Sequence, residues 1–202
     1  MIMKKFLLLM FIPLLFACGN DDEASPQDEG QGSVAEKHVI AGFPMEIEGI
    51  SKDDFMTVFK AHAWKRAAWN DVAEDGTKGI PSMIGVNGQF FYVKPDGTIR
   101  DFFISYLDFH TLAFADGVKF DYDETTNELV IGSGELSCFL AFNNRLTVIS
   151  ISDERLQLIE KAREIDHQSG LYYIYYDLRA MSPEELADAT EHAVDVATLQ
   201  KP

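Results

Sequence analysis

Hydrophobic and polar positions divide this chain into four regimes. An apolar run of about eleven residues fills positions 6–16, directly behind Lys4 and Lys5. Positions 24–37 then carry Ser, Pro, Gln, Gly, Asp and Glu with almost no bulky apolar residue, the composition of a solvated tether. From Ser51 the pattern takes a helical period, with Phe55, Val58 and Phe59 at i, i+3 and i+4. Asp53 and Asp54 suit the positive end of a helix dipole and Lys60 the negative end, so the pattern predicts a short amphipathic helix over 52–60. Beyond Gln89 the period shortens to two and stays short as far as Met181.

Trp64 and Trp69 flank Lys65-Arg66-Ala67-Ala68 in a stretch that fits a first strand. Asp75-Gly76, Pro81 and the glycines at 79, 85 and 88 mark an irregular connection after it. Phe90-Phe91-Tyr92-Val93 runs into Lys94-Pro95-Asp96-Gly97, a tight turn, and 98–106 returns as its partner. Residues 119–123 and 128–131 predict a second hairpin, 136–142 and 146–151 a third, and 155–159 and 171–178 two further strands. About eight strands in meander order, with no long crossover between them, predict an antiparallel all-β fold. Ser182, Pro183 and Glu185 then form a helix start with cap, first-turn proline and capping box. Leu186, Ala189, Ala193 and Val196 make an apolar stripe, so this C-terminal helix is expected to pack on the outside of the sheet.

Charge sharpens the picture of the ends. The chain of 202 residues has a formal net charge of −16, which becomes −18 once Lys4 and Lys5 leave with the leader. Such a balance disfavours nucleic acid and anionic membrane faces as partners. Leu14-Leu15-Phe16-Ala17-Cys18 resembles the lipobox of bacterial lipoproteins, which implies that residues 1–17 are a signal peptide and that Cys18 is acylated. Asn20-Asp21-Asp22-Glu23 is similar to the acidic block that sends some lipoproteins to the cell surface. Residues 18–45 are thus expected to be an acidic tether and 46–202 the domain, held at the outer membrane by lipid. With Cys18 lipidated, Cys138 is the remaining cysteine, and the fold must rest on its core.

The helix, the Trp-bearing strand, the Pro-Asp-Gly hairpin, Phe120-Asp-Tyr-Asp-Glu-Thr-Thr-Asn-Glu-Leu-Val and Val148-Ile-Ser-Ile-Ser-Asp-Glu-Arg-Leu-Gln-Leu together resemble the lipocalin-like domains of bacterial surface lipoproteins. The resemblance covers roughly 51–181. The lipocalin Gly-x-Trp appears here as His62-Ala63-Trp64, without the glycine. The resemblance implies a β-barrel, and an arginine stacked on that tryptophan, a place that falls to Arg179.

The chemistry-bearing residues form no catalytic motif. The histidines at 38, 62, 110, 167 and 192 are scattered, and neither a Gly-x-Ser-x-Gly elbow nor a P-loop occurs. Asp121-x-Asp123-x-Thr125-x-Asn127 lacks the glycine and the closing glutamate of a calcium loop. Cys138 alternates with Leu136, Leu140 and Phe142, the setting of a buried thiol. No metal or cofactor is expected. The aromatic strand Tyr172-Tyr173-Ile174-Tyr175-Tyr176 stands out, with Tyr173 and Tyr175 on one face. Trp64, Tyr173 and Tyr175 are the candidate ligand-binding residues, on strands that a closed barrel would make neighbours. Two functions fit: a non-enzymatic binding module for an apolar or amphipathic small molecule, or a filled barrel that docks on an outer-membrane protein complex.

Overall fold

The chain divides into Met1–Val34 and Ala35–Pro202. The computed structural model describes residues 37–38, 43, 45, 47–83, 88–132, 136–139 and 144–199, all in the second unit. The predicted signal peptide, Cys18 and the acidic block lie outside the described residues.

In chain order the elements are β1 (Lys37–His38), β2 (Ile47–Glu48), α1 (Lys52–Ala61), β3 (Ala63–Val72), β4 (Phe90–Val93), β5 (Ile99–Ile104) and β6 (Leu112–Val118). Then follow β7 (Phe120–Asp123), β8 (Glu128–Ile131), β9 (Arg145–Ile151), β10 (Arg155–Lys161), a 3-10 turn (Glu164–Ser169) and β11 (Tyr173–Ala180). The chain ends with α2 (Pro183–Thr190), β12 (Val194–Asp195) and α3 (Val196–Leu199). Strands β1 and β2 pair antiparallel, so ordered pairing begins inside the stretch expected to be a tether.

The other strands form one sheet in the order β12-β6-β5-β4-β3-β11-β10-β9-β8-β7, antiparallel except for β12 on β6. As a hydrogen-bonded order the sheet is open. Yet β6 and β7, at or next to its two ends, are consecutive in the chain and separated by Lys119 alone. Val118 pairs with Ile99 of β5, and the Lys119 carbonyl accepts from Gly132 N at 2.7 Å beside β8. The pairing partner therefore changes within one residue. Gly117, at φ 86°, sits where the β5–β6 register shifts. Only glycine takes that backbone at little cost, so the strand turns there from one edge to the other.

One face of the sheet carries a single apolar cluster to which β3 to β5 and β7 to β11 contribute. Helix α1 closes one end of it. Ser51 Oγ caps the helix by accepting from Asp54 N at 3.1 Å, and Phe55 and Phe59 are fully buried, their ring centroids 4.9 Å apart. Phe55 also stacks on Tyr122 at 4.1 Å. The turns 94–98, 124–127 and 152–154 lie at this helix end. The longer connections that follow Val72, Ile104, Ile131 and Lys161 all leave the sheet at the other, which we call the mouth end, because antiparallel neighbours alternate their connections.

The outer face of β3 to β6 has a second cluster of Ala63, Phe90, Phe102 and Met181. Leu186, Ala189 and Ala193 cover it, so the C-terminal helix packs outside the sheet as its stripe predicts. Its length differs from the expectation. The helix stops at Thr190, and Val194 and Asp195 pair instead with Ala113 and Phe114 on the edge of β6. An exposed strand edge offers unpaired backbone groups, and this short parallel strand covers two of its residues.

The predicted strand at 136–142 is corrected as well. Residues 136–139 form a turn, 140–143 lie outside the described residues, and β8 pairs directly with β9. Leu136, Cys138 and Phe139 point into the core, and packing decides their backbone rather than a ladder.

Candidate functional site

At the mouth end the core opens into a pocket of about 430 Å³. It is lined by the polar side chains of Arg66 of β3, Gln89 ahead of β4, Asp101 of β5 and Ser137, together with Phe103, Tyr106, Leu136 and Phe139. Strand parity explains why these groups meet. Trp64 and Arg66 are two residues apart on the core face of β3, and Ile99, Asp101 and Phe103 follow each other on the core face of β5. The β5 row pairs through β4, with Asp101 directly opposite Phe91.

Arg66 is buried and binds protein acceptors. Its Nη1 donates to the Cys138 carbonyl at 2.8 Å, and its Nη2 donates to Gln89 Oε1. Burial lowers the guanidinium from its usual range. The carbonyl contact fixes the turn at 136–139 against β3.

Asp101 is only 4% exposed. Its Oδ2 accepts from Ser137 N at 2.9 Å, and its Oδ1 lies 2.9 Å from Ser137 Oγ, which is also 2.8 Å from the Phe102 carbonyl. Among the described residues no lysine or arginine pairs with it. Burial without a counter-charge raises its carboxyl to about 7, against the smaller opposing effect of the Ser137 hydrogen bonds. The neutral acid satisfies every group in this cluster: Oδ1–H donates to Ser137 Oγ, whose own proton goes to the Phe102 carbonyl. The thiol of Cys138 is fully buried, and burial pushes its pKa far up, so it stays a neutral packing group. No histidine lines the pocket.

Of the residues singled out in the sequence, Trp64 is fully buried at the helix end of the core. Its Nε1 donates to the Phe59 carbonyl at 3.0 Å, and the His62 ring meets it edge-on at 5.5 Å. Tyr173 and Tyr175 share a face, but it is the outer one, since Ile174, Tyr176 and Leu178 take the core face. Phe43 packs on Tyr173 at 5.4 Å, and Lys78 Nζ sits 3.4 Å above the Tyr175 ring. The pairing of Trp64 with Ala180, and of Tyr173 and Tyr175 with Val72 and Asn70, separates them along the strands. None of the three lines the pocket. Arg179 does not stack on Trp64; it points outward and forks onto Glu185 of α2, with Nη1 2.7 Å from Oε2. That clamp holds the Glu185 carboxyl at about 2.

Arg66 and Asp101, which do line the pocket, each stand two residues from a core residue of the same strand, Trp64 and Ile99, a spacing that places a charge on the core face. The mouth end has a further property. Among the described residues the large apolar side chains standing in solvent are Ile80, Met83, Tyr106, Leu107, Phe109 and Ile165. All six lie on connections at this end. No protein-family model matches the chain, and no curated protein matches it.

Proposed function

We propose that this chain is a lipid-anchored lipoprotein of the outer membrane whose domain is a small closed barrel, and that its mouth-end pocket binds an amphipathic small molecule without catalysis. The observation that carries the reading is the pocket itself, which Arg66, Asp101 and Ser137 line together with Phe103, Tyr106 and Phe139. A few fixed polar groups beside aromatic side chains suit a ligand with a polar head and an apolar body. The barrel reading is supported by the single stretch 112–123, which serves both ends of the sheet, and by the pairing of β3 with β11. The anchor reading rests on the apolar run ending at Cys18 and the acidic residues behind it.

The test is a titration of the protein with a panel of dansyl-labelled alkyl probes that differ in head group. Saturable one-to-one binding is expected. Phe103→Ala or Tyr106→Ala should weaken it by roughly tenfold or more, as expected for removing most of an aromatic contact. Tyr173→Ala and Tyr175→Ala, on the outer face, should leave it unchanged. Equal losses from inner and outer variants would sink the pocket. For the anchor, labelled fatty acid should enter the native chain and not Cys18→Ser, and external protease should remove the domain from intact cells.

The second reading, a subunit docking on an outer-membrane protein complex, is favoured by the six apolar side chains around the mouth. Failure of every probe to saturate leaves that reading ahead.

A further inference from the structure

We propose that the pocket accepts a molecule carrying a protonated amine on an apolar body, with Asp101 as its counter-ion. This deepens the reading of the pocket as an amphipathic site and rests on it.

Two charges line the pocket. Arg66 already donates to the Cys138 carbonyl and to Gln89 Oε1, acceptors supplied by the protein itself. Asp101 is hydrogen-bonded by Ser137 and by the Phe102 backbone, all neutral groups, and among the described residues no lysine or arginine pairs with it. A buried carboxylate is stabilised by a paired opposite charge, and here that charge is left to the ligand. The carboxyl stays near neutrality in the empty pocket for the same reason.

The aromatic side chains fit the same occupant. Phe103, Tyr106 and Phe139 line the same pocket as Asp101. Aromatic faces attract cations and the polarised methylenes beside them, most strongly where water is excluded. The other ionisable groups near the pocket are Arg66 on β3, Cys138 on the turn, and Glu160 of β10 with its partner Tyr176 of β11. Arg66 opposes a cation and is the strongest objection to the proposal. Its guanidinium is held by the Cys138 carbonyl and Gln89 Oε1, whereas Asp101 is held at Ser137, and among the described residues no ion pair joins the two. The formal charge of −16 adds a general attraction for cations.

The experiment uses three probes with one fluorescent body: dansylcadaverine, a primary amine; its N-acetyl derivative, which is neutral; and dansyl-aminocaproic acid, an anion. With the full chain, the amine should bind at least tenfold tighter than the acetylated probe. Its affinity should rise about tenfold from pH 6 to pH 8 as Asp101 ionises, because an alkylamine stays protonated throughout. Asp101→Asn should abolish both the preference and the pH dependence while still binding the neutral probe. Should that variant not fold, the head-group order and pH profile of the native chain decide the matter alone. Equal binding of all three probes, or tightest binding of the anion, overturns the amine assignment and leaves the amphipathic pocket standing. Saturation by none of them overturns both.

Discussion

Replacing Asp101 with asparagine should stabilise this protein at neutral pH. A carboxyl moved from its ordinary 3.8 to about 7 gives up roughly 4 kcal/mol of stability when it ionises, at about 1.4 kcal/mol per factor of ten in proton affinity. The folded state holds this proton more tightly than the unfolded chain. It therefore binds more protons between about pH 4 and pH 7, and stability falls as pH rises through that window. Asparagine reproduces the neutral acid: its Nδ2 donates to Ser137 Oγ and its Oδ1 accepts from Ser137 N. The variant should thus match the native protein within about 1 kcal/mol at pH 4 and exceed it by about 2–4 kcal/mol at pH 8. Urea unfolding of both proteins from pH 4 to pH 8 measures the difference. Asp96, Asp108 and Glu185, each held at about 2 by its hydrogen bonds, act in the opposite direction at lower pH but are common to both proteins and cancel. A difference that does not change with pH would refute the burial argument for Asp101.

Two further predictions concern the frame. Gly117→Ala meets no atom within 4 Å, so its whole cost is the backbone at φ 86°, about 1–2 kcal/mol by urea unfolding; unchanged stability would mean that the bend does not need that conformation. Trp64→Ala should cost about 3–5 kcal/mol, and Trp64→Phe about 1–3 kcal/mol, mainly from leaving the Phe59 carbonyl without its donor. A loss below about 1 kcal/mol for Trp64→Ala would remove that ring from the core.

Local chemistry made the helix end legible. Ser51 and the Phe55, Phe59 spacing predict α1, and Lys94-Pro95-Asp96-Gly97 predicts the turn between β4 and β5 with Gly97 at φ 82°. The strand β6 carries little strand signal of its own because Leu-Ala-Phe-Ala-Asp-Gly-Val contains four weak strand formers; its neighbours on β5 decide its conformation. Residues 136–139 alternate like a strand, yet the buried contacts of Leu136, Cys138 and Phe139 settle them as a turn. Period two put Tyr173 and Tyr175 on one face but left open which face is inside, a question that only the pairing of all the strands answers. The pocket was harder to read, since Arg66 and Asp101 belong to strands separated by β4 and are linked through a turn beyond residue 131.

The pairing of β3 with β11 has a consequence for how the chain is made. Every bonded pair between them joins residues more than a hundred positions apart, from Val72 with Tyr173 to Trp64 with Ala180. A polypeptide emerging N-terminus first cannot form this ladder until Tyr173–Ala180 has been synthesised. Such long-range pairing is intrinsically slow. Until β11 has emerged, no strand pairing joins the β3–β6 ladder to the β7–β10 ladder.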